Sequence, residues 1–343
     1  MRRLPLPFLI AGLMLLVGCR KDRPEPPADG PIVVGAGGVY VVNEGNLGWD
    51  NGGVGHYDPA TGHTVEDLYA PANGEGLGDV VQSLVWHNGR GFVVVNNAGK
   101  VVVVDPTTFT AIATITGFPS PRHLLPVGPA KAYVSDLQSN ALRVVDLSTY
   151  TITGSIPCPG WTEEMALAYG KVFVTSRTRS YVYVIDSATD QLVDSIAVSL
   201  GGNSIVADAQ GRLWVACTGG GGTQPALYRI HPVSRTVEAV LPVNGGVVTP
   251  WRLATNGDHT RIYFLDRHVY RLSPTDEAMP TTPFIAADGR NLYALGVDPV
   301  DGAVYVADAL DYTQRGVVFR YTPAGQASGE FLAGRVPGRF AFR

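Results

Sequence analysis

The chain of 343 residues carries 26 Lys and Arg against 30 Asp and Glu, a formal net charge of −4. That balance lacks the basic surplus that nucleic-acid phosphates require, so no nucleic-acid partner is expected. An apolar content of 45%, 16% charged residues, 41 glycines and 25 prolines exclude a disordered chain and describe a turn-dense all-β protein.

The first residues stand apart from the rest. Arg2 and Arg3 precede an apolar run, Leu6 to Val17, that is too short to span a membrane as a mature helix. It ends in Leu16-Val17-Gly18-Cys19, a small-residue pattern that resembles a bacterial lipoprotein signal. The resemblance implies a signal peptide over residues 1–18, cleavage before Cys19 and lipidation of its thiol, so that a lipid ties the protein to a membrane. An ordinary secretory signal with a chance cysteine is the alternative. Arg20 stands where many inner-membrane lipoproteins carry Asp, which favours the outer membrane, with the cell surface as the expected side. Residues 19–31 include Arg20-Lys21-Asp22-Arg23-Pro24-Glu25-Pro26-Pro27 and read as an extended tether. A single domain follows over residues 32–343.

Two patterns recur seven times through that domain. Strands of apolar-aromatic-Val type recur at Tyr40, Val93, Tyr133, Phe173, Trp214, Tyr263 and Tyr305, the second without an aromatic. Three residues on, each meets a short, mostly polar stop: Asn43, Asn96, Asp136, Ser176, Cys217, Asp266 and Asp308. The other pattern is an apolar strand running into a turn, as at Asp58-Pro59-Ala60-Thr61, Asp105-Pro106-Thr107-Thr108, Asp146-Leu147-Ser148-Thr149 and Asp186-Ser187-Ala188-Thr189. Successive turns lie roughly 40 to 50 residues apart, the period of a four-stranded propeller blade. The predicted fold is an all-β, seven-bladed propeller.

Each blade is expected to hold four strands, A to D from the axis outward. The Asp-x-x-Thr segment is then the C–D hairpin, whose Asp accepts from backbone amides two residues on. Blade one has no strand A directly before Val39. The chain ends in Pro337-Gly338-Arg339-Phe340-Ala341-Phe342-Arg343, which matches the start of other A strands such as Ser120-Pro121-Arg122-His123-Leu124. The C-terminal strand is therefore expected to close the ring in blade one, removing both open edges.

Motifs of catalysis are absent by spacing. The seven histidines show neither His-x-His nor His-Glu-x-x-His, and no Gly-x-Ser-x-Gly elbow occurs. Gly219 to Gly222 has the composition of a phosphate loop without a following helix or Lys-Ser/Thr pair. No metal, cofactor or enzymatic activity is expected. Spacing leaves open whether Cys158 and Cys217 form a bridge.

The B–C and D–A loops emerge on one face, opposite the A–B and C–D turns. That face is expected to carry Asn43, Glu44 and Trp49 from blade one, and Asp79, Gln82 and Asn96 from blade two. Arg122 and Asp136 follow, then Trp161, Glu163, Arg177 and Asn203. The set continues through Trp251, Asp266, Asn291, Asp308 and Tyr312. Turns do not need Trp49, Trp161 or Trp251, and aromatic platforms among amides suit a large polar ligand or a protein partner.

The Val-x-Asp-x-x-Thr hairpins at Asp146 and Asp186 resemble those of YncE-like propellers. The stretches Val39 to Asn46, Leu77 to Ser83, Thr162 to Met165 and Pro337 to Phe340 are similar to a bacterial surface-lipoprotein branch of that group, which includes the cobalamin-binding BtuG type. The resemblance implies a surface-anchored binding protein that captures cobalamin or another corrinoid and passes it to a TonB-dependent outer-membrane transporter. A lactonase-like or lyase-like propeller enzyme and a protein-binding scaffold or adhesion protein are the alternatives.

Overall fold

The computed structural model describes residues 37–243 and 249–343. The expected signal peptide, Cys19 and the whole tether lie outside the described residues. Within them the chain folds as seven antiparallel sheets, the blades of a propeller. Blade three shows the plan, with Pro121–Pro126, Lys131–Asp136, Ala141–Asp146 and Thr151–Pro157 pairing in succession. Second strands such as Val39–Asn43 and Leu213–Cys217 are buried at every position, because a neighbouring blade covers each face. Fourth strands such as Ala111–Thr116 are mostly exposed.

Seven apolar clusters fill the gaps between neighbouring blades, one per gap. The cluster that joins blade seven to blade one holds Ala294, Tyr305 and Val318 against Val39 and Val41. Pro337–Phe342 pairs antiparallel with Val39–Asn43, so the C-terminal strand is strand A of blade one, as the sequence pattern implied. The ring has no open blade edge at its joint.

Two blades depart from the four-strand plan. Blade six has three strands, Trp251–Thr255, Ile262–Leu265 and Val269–Leu272, with an isolated bridge from Val269 to Ile285 in place of a fourth. The intervening segment carries Pro274, Pro280 and Pro283, which have no N–H to give a ladder. In blade one the fourth strand shrinks to Thr64–Val65. Asp67 then accepts from the Tyr69 and Ala70 amides and turns the chain into a short helix, Tyr69–Asn73.

Outside blade six the C–D hairpins form as read from sequence. Asp146 accepts from the Ser148 and Thr149 amides at 2.7 and 3.0 Å. Asp186 does the same with Ala188 and Thr189, and Lys171 adds an ion pair at 2.7 Å. Cys158 and Cys217 are both free, each buried in a different inter-blade cluster. Burial pushes both thiols up to about 12.

Candidate functional site

Every inner strand breaks register near its start. In blades two to seven the shifts fall between Val81 and Ser83, Pro121 and Leu124, Thr162 and Met165, Gly202 and Ser204, Trp251 and Ala254, and Leu292 and Ala294. In blade one the skipped residue is Gly338, opposite the step from Val42 to Asn43. A bulge of this kind re-aims a side chain that the pleat would otherwise place on a sheet face. The residues at the breaks are Gln82, Arg122, Glu163, Asn203, Arg252 and Tyr293, and all six line one axial basin of about 450 Å³.

The seventh place is filled from outside the strand. Gly338 has no side chain, and a Cβ there would stand 2.4 Å from Glu44 Oε1. Glu44 enters from the B–C loop of blade one instead, its amide donating to Val336 O at 2.9 Å and its carbonyl accepting from Val81 N at 3.1 Å. The glycine therefore gives the carboxylate its seat.

The axial charges are paired between blades. Arg122 grips Glu163 with two bonds, Nε to Oε2 at 2.9 Å and Nη2 to Oε1 at 2.7 Å, and donates through Nη1 to Gln82 at 2.6 Å. Trp161 Nε1 donates to the same Glu163 at 2.5 Å. Glu44 takes the Tyr293 hydroxyl at 3.1 Å and Arg252 Nη2 at 3.5 Å. One residue deeper, Glu164 accepts from Ser204 Oγ at 2.6 Å and faces Arg339 Nη2 at 2.6 Å. That last contact is an ion pair without good hydrogen-bond alignment at Oε1.

Burial alone raises the proton affinity of Glu163, but the Arg122 charge and bonds from His123 and Arg122 outweigh it and hold the carboxyl well below the usual range. Glu164 is lowered in the same way, chiefly by Arg339 against the opposing effect of burial. Burial, and then the Arg339 charge, push His123 down to about 4, so its 3.6 Å contact with Glu163 involves a neutral ring at pH 7. Burial and Glu44 raise Tyr293 to about 12. None of these groups changes charge near neutral pH.

Nine of the residues expected on this face line the basin: Glu44, Gln82, Asn96, Arg122, Trp161, Glu163, Arg177, Asn203 and Trp251. A lateral cavity of about 590 Å³ adjoins it, sharing Arg177 and Trp251 and adding Asp266 and Asn291. The remaining six residues line neither cavity. Asp136 accepts from Ser120, Gln138 and Ser139 amides, and Asp308 from Asn291 and Leu310. Asp79 accepts from Gly48 and Asn97, and Asn43 donates to Val41 O. These four buried side chains brace the loops. Tyr312 packs edge-on to Tyr293 with ring centroids 5.5 Å apart. Trp49 is 76% exposed, outside both cavities.

The tryptophans of the basin are less free than an open platform. The Arg122 and Arg177 guanidiniums lie 5.3 and 5.2 Å from the Trp161 ring centre, and Arg252 lies 5.1 Å from that of Trp251. Sequence reasoning missed Tyr293, Arg339 and Glu164 as axial residues. Their signal was position: each sits one or two residues into an inner strand, in step with Arg122 and His123. Among the described residues no group of three or more His, Cys, Asp or Glu gathers as a metal would need.

No curated protein sequence matches this chain. Several solved structures share its fold. A quinonprotein alcohol dehydrogenase-like protein from Bacteroides thetaiotaomicron is 16% identical, with a TM-score of 0.70 over 89% of this chain and 78% of that one. The computationally designed Ika8 protein is 12% identical, with a TM-score of 0.60 over 88% and 96%. Hydrazine synthase from Kuenenia stuttgartiensis is 16% identical, with a TM-score of 0.54 over 69% and 75%. At these identities the likeness extends to the propeller fold alone. The family model described as "Domain of unknown function (DUF5074)" matches residues 37–318, and the chain belongs to that family.

Proposed function

We propose that the protein is a non-catalytic binding protein whose axial basin captures a large polar ligand, a corrinoid of the cobalamin type. The carrying observation is a basin built of side chains from all seven blades, in which the Glu163 carboxyl is held well below its usual range and the Tyr293 hydroxyl is raised to about 12. General acid–base catalysis works best with a group poised near the working pH, and none of the shifted axial groups is so poised. Binding needs fixed donors and acceptors instead. Gln82 Nε2 is buried with no partner among the described residues, so it can serve an acceptor-rich ligand. The likeness of Val39 to Asn46 and Pro337 to Phe340 to the BtuG-type branch supports the same reading, since these segments supply Glu44, its glycine seat and Arg339.

The proposal extends to anchoring and handover. A lipid on Cys19 would hold the ring at the outer-membrane surface, and the loop that carries Glu44 would meet a TonB-dependent transporter through its exposed Leu47 and Trp49. Calorimetric titration of the detergent-purified protein with cyanocobalamin tests the ligand, with saturable one-to-one binding expected. Trp161→Ala and Trp251→Ala should each weaken it by about 1–3 kcal/mol, while Trp49→Ala leaves it unchanged. Absence of any heat with cyanocobalamin would rule out the corrinoid. Membrane fractionation of Cys19→Ala tests the anchor; unchanged attachment would remove that part of the proposal.

A further inference from the structure

We infer that the axis holds a second, deeper binding site, which takes one small monovalent anion of the halide class. Beyond the basin, the inner strands of blades six, seven and one enclose a chamber of about 170 Å³. Leu253, Leu295 and Phe340 stand among its lining residues beside polar surface, and Gly296 leaves the space that the Phe340 ring occupies. Among the described residues the polar side chains that reach it are Arg252, Arg339 and Thr255, and no carboxylate lines it.

The two arginines face their acids through one nitrogen each. Arg252 Nη2 meets Glu44 at 3.5 Å, and Arg339 Nη2 meets Glu164 at 2.6 Å. The Nε–H of both is buried without a partner among the described residues, and the Arg252 side chain is 10% exposed. The two guanidiniums that border the chamber repel each other, and Glu44 and Glu164 offset part of that repulsion from their Nη2 sides. Arg252 shows the strain: burial, then the Arg339 charge, bring it down to about 10. A single negative charge on the Nε side of both adds two close attractions, against the repulsion of Glu44 and Glu164, which sit on the Nη2 sides. It also gives both Nε donors a charged acceptor.

Charge and size narrow the occupant. A cation would add to the repulsion. Organic ligands of ordinary size occupy pockets of about 300–1,000 Å³, well above this chamber. A divalent oxyanion would meet twice the repulsion from Glu44 and Glu164 and would have to shed a tighter hydration shell than a halide does. The chamber also has room for accompanying waters, at about 30 Å³ each.

Bromide is the probe. Crystals of the full-length protein in sodium bromide, measured at the bromine absorption edge, should show one anomalous peak between Arg252 Nε and Arg339 Nε. In solution, thermal melts at constant ionic strength should rise saturably as bromide replaces fluoride. Arg339→Gln should abolish the peak and weaken bromide binding by about tenfold or more, the factor that goes with one charge-assisted hydrogen bond. Arg252→Gln should do the same, and it serves if Arg339→Gln does not fold. Anomalous peaks only elsewhere, a peak that survives both substitutions, or equal melting in bromide and fluoride would overturn the site. Titration with cyanocobalamin has no bearing on this outcome, so the two proposals fail separately.

Discussion

On the face of the C–D turns, Asp105 accepts from the Thr107 and Thr108 amides, two and three residues along the chain. At the axis, Arg122 reaches Glu163 across 41 residues, and Arg252 reaches Glu44 across 208. Both regions neutralise carboxylates, yet they do so on different length scales. A turn bond exists once its own hairpin closes, whatever the other blades do. An axial bond exists only when neighbouring blades have met, and the Glu44 bonds only when the ring has closed. The turns are therefore separable parts, whereas the axis behaves as one unit.

The most severe way to break that contrast is to remove the closing strand. Deleting Val336 to Arg343 strips blade one of Pro337–Phe342, uncovers the Val39–Asn43 edge and removes Arg339 from Glu164. Scanning calorimetry should show loss of the cooperative transition, or aggregation. A truncated protein that melts like the intact one would mean the axis does not depend on closure.

Next in size is a single axial charge. Glu163→Gln leaves Arg122 buried without its carboxylate, in a pair whose side chains are 16% and 4% exposed. Breaking a buried pair from one side costs about 3–5 kcal/mol, which urea unfolding can measure. Arg122→Gln on top of Glu163→Gln should recover part of the loss, because no charge is then left without a partner. An additive double variant would show that the two residues do not act together.

Acid should act on the axis before the rest of the ring. His123 titrates near 6.5 when unfolded and about 4 when folded, so the unfolded chain binds more protons in between. Its contribution to stability is complete above 6.5 and is lost as pH falls toward 4. Glu163 and Glu164, both lowered from 4.5, contribute stability that is present above 4.5 and fades as pH drops through their folded values. Unfolding free energy should therefore fall from about pH 6.5 downward, and more steeply below 4.5. Glu163→Gln should flatten the lower part of that curve. A curve that is level from pH 7 to 4 would contradict the buried, neutral His123.

The same difference in length scale decides what could be read from the sequence. Asp146-Leu147-Ser148-Thr149 carries its whole explanation within four residues, and repetition of that unit helped to count blades, while the likeness of Pro337–Arg343 to the start of other inner strands placed the C-terminal strand. Gln82, Arg122, Glu163 and Asn203 were legible as members of one face, since the period assigns them to D–A junctions. Their pairing was not legible. Nothing near Gly338 announces that its missing side chain makes room for Glu44, some 290 residues earlier by position. The four-strand rule failed in blade six for a local reason that was visible, the prolines at 274, 280 and 283.

The smallest expected effect lies on the turn face, and it is the control for all the others. Thr108 Oγ1 bonds to Asp105 Oδ1 at 3.3 Å and to Thr110 Oγ1 at 2.8 Å, both in solvent. Thr108→Ala removes those two bonds and a third from the Thr110 amide at 3.4 Å, but keeps the Thr108 amide on Asp105 and the Phe109 and Asp105 backbone bonds, so the hairpin retains its backbone closure. An exposed substitution of this kind changes stability by about 0.5 kcal/mol or less. Because no axial residue depends on that hairpin, cyanocobalamin affinity should match that of the unsubstituted protein. Loss of affinity in Thr108→Ala, with Trp161→Ala binding normally, would move the ligand to the opposite face and leave the axial charges a purely structural task.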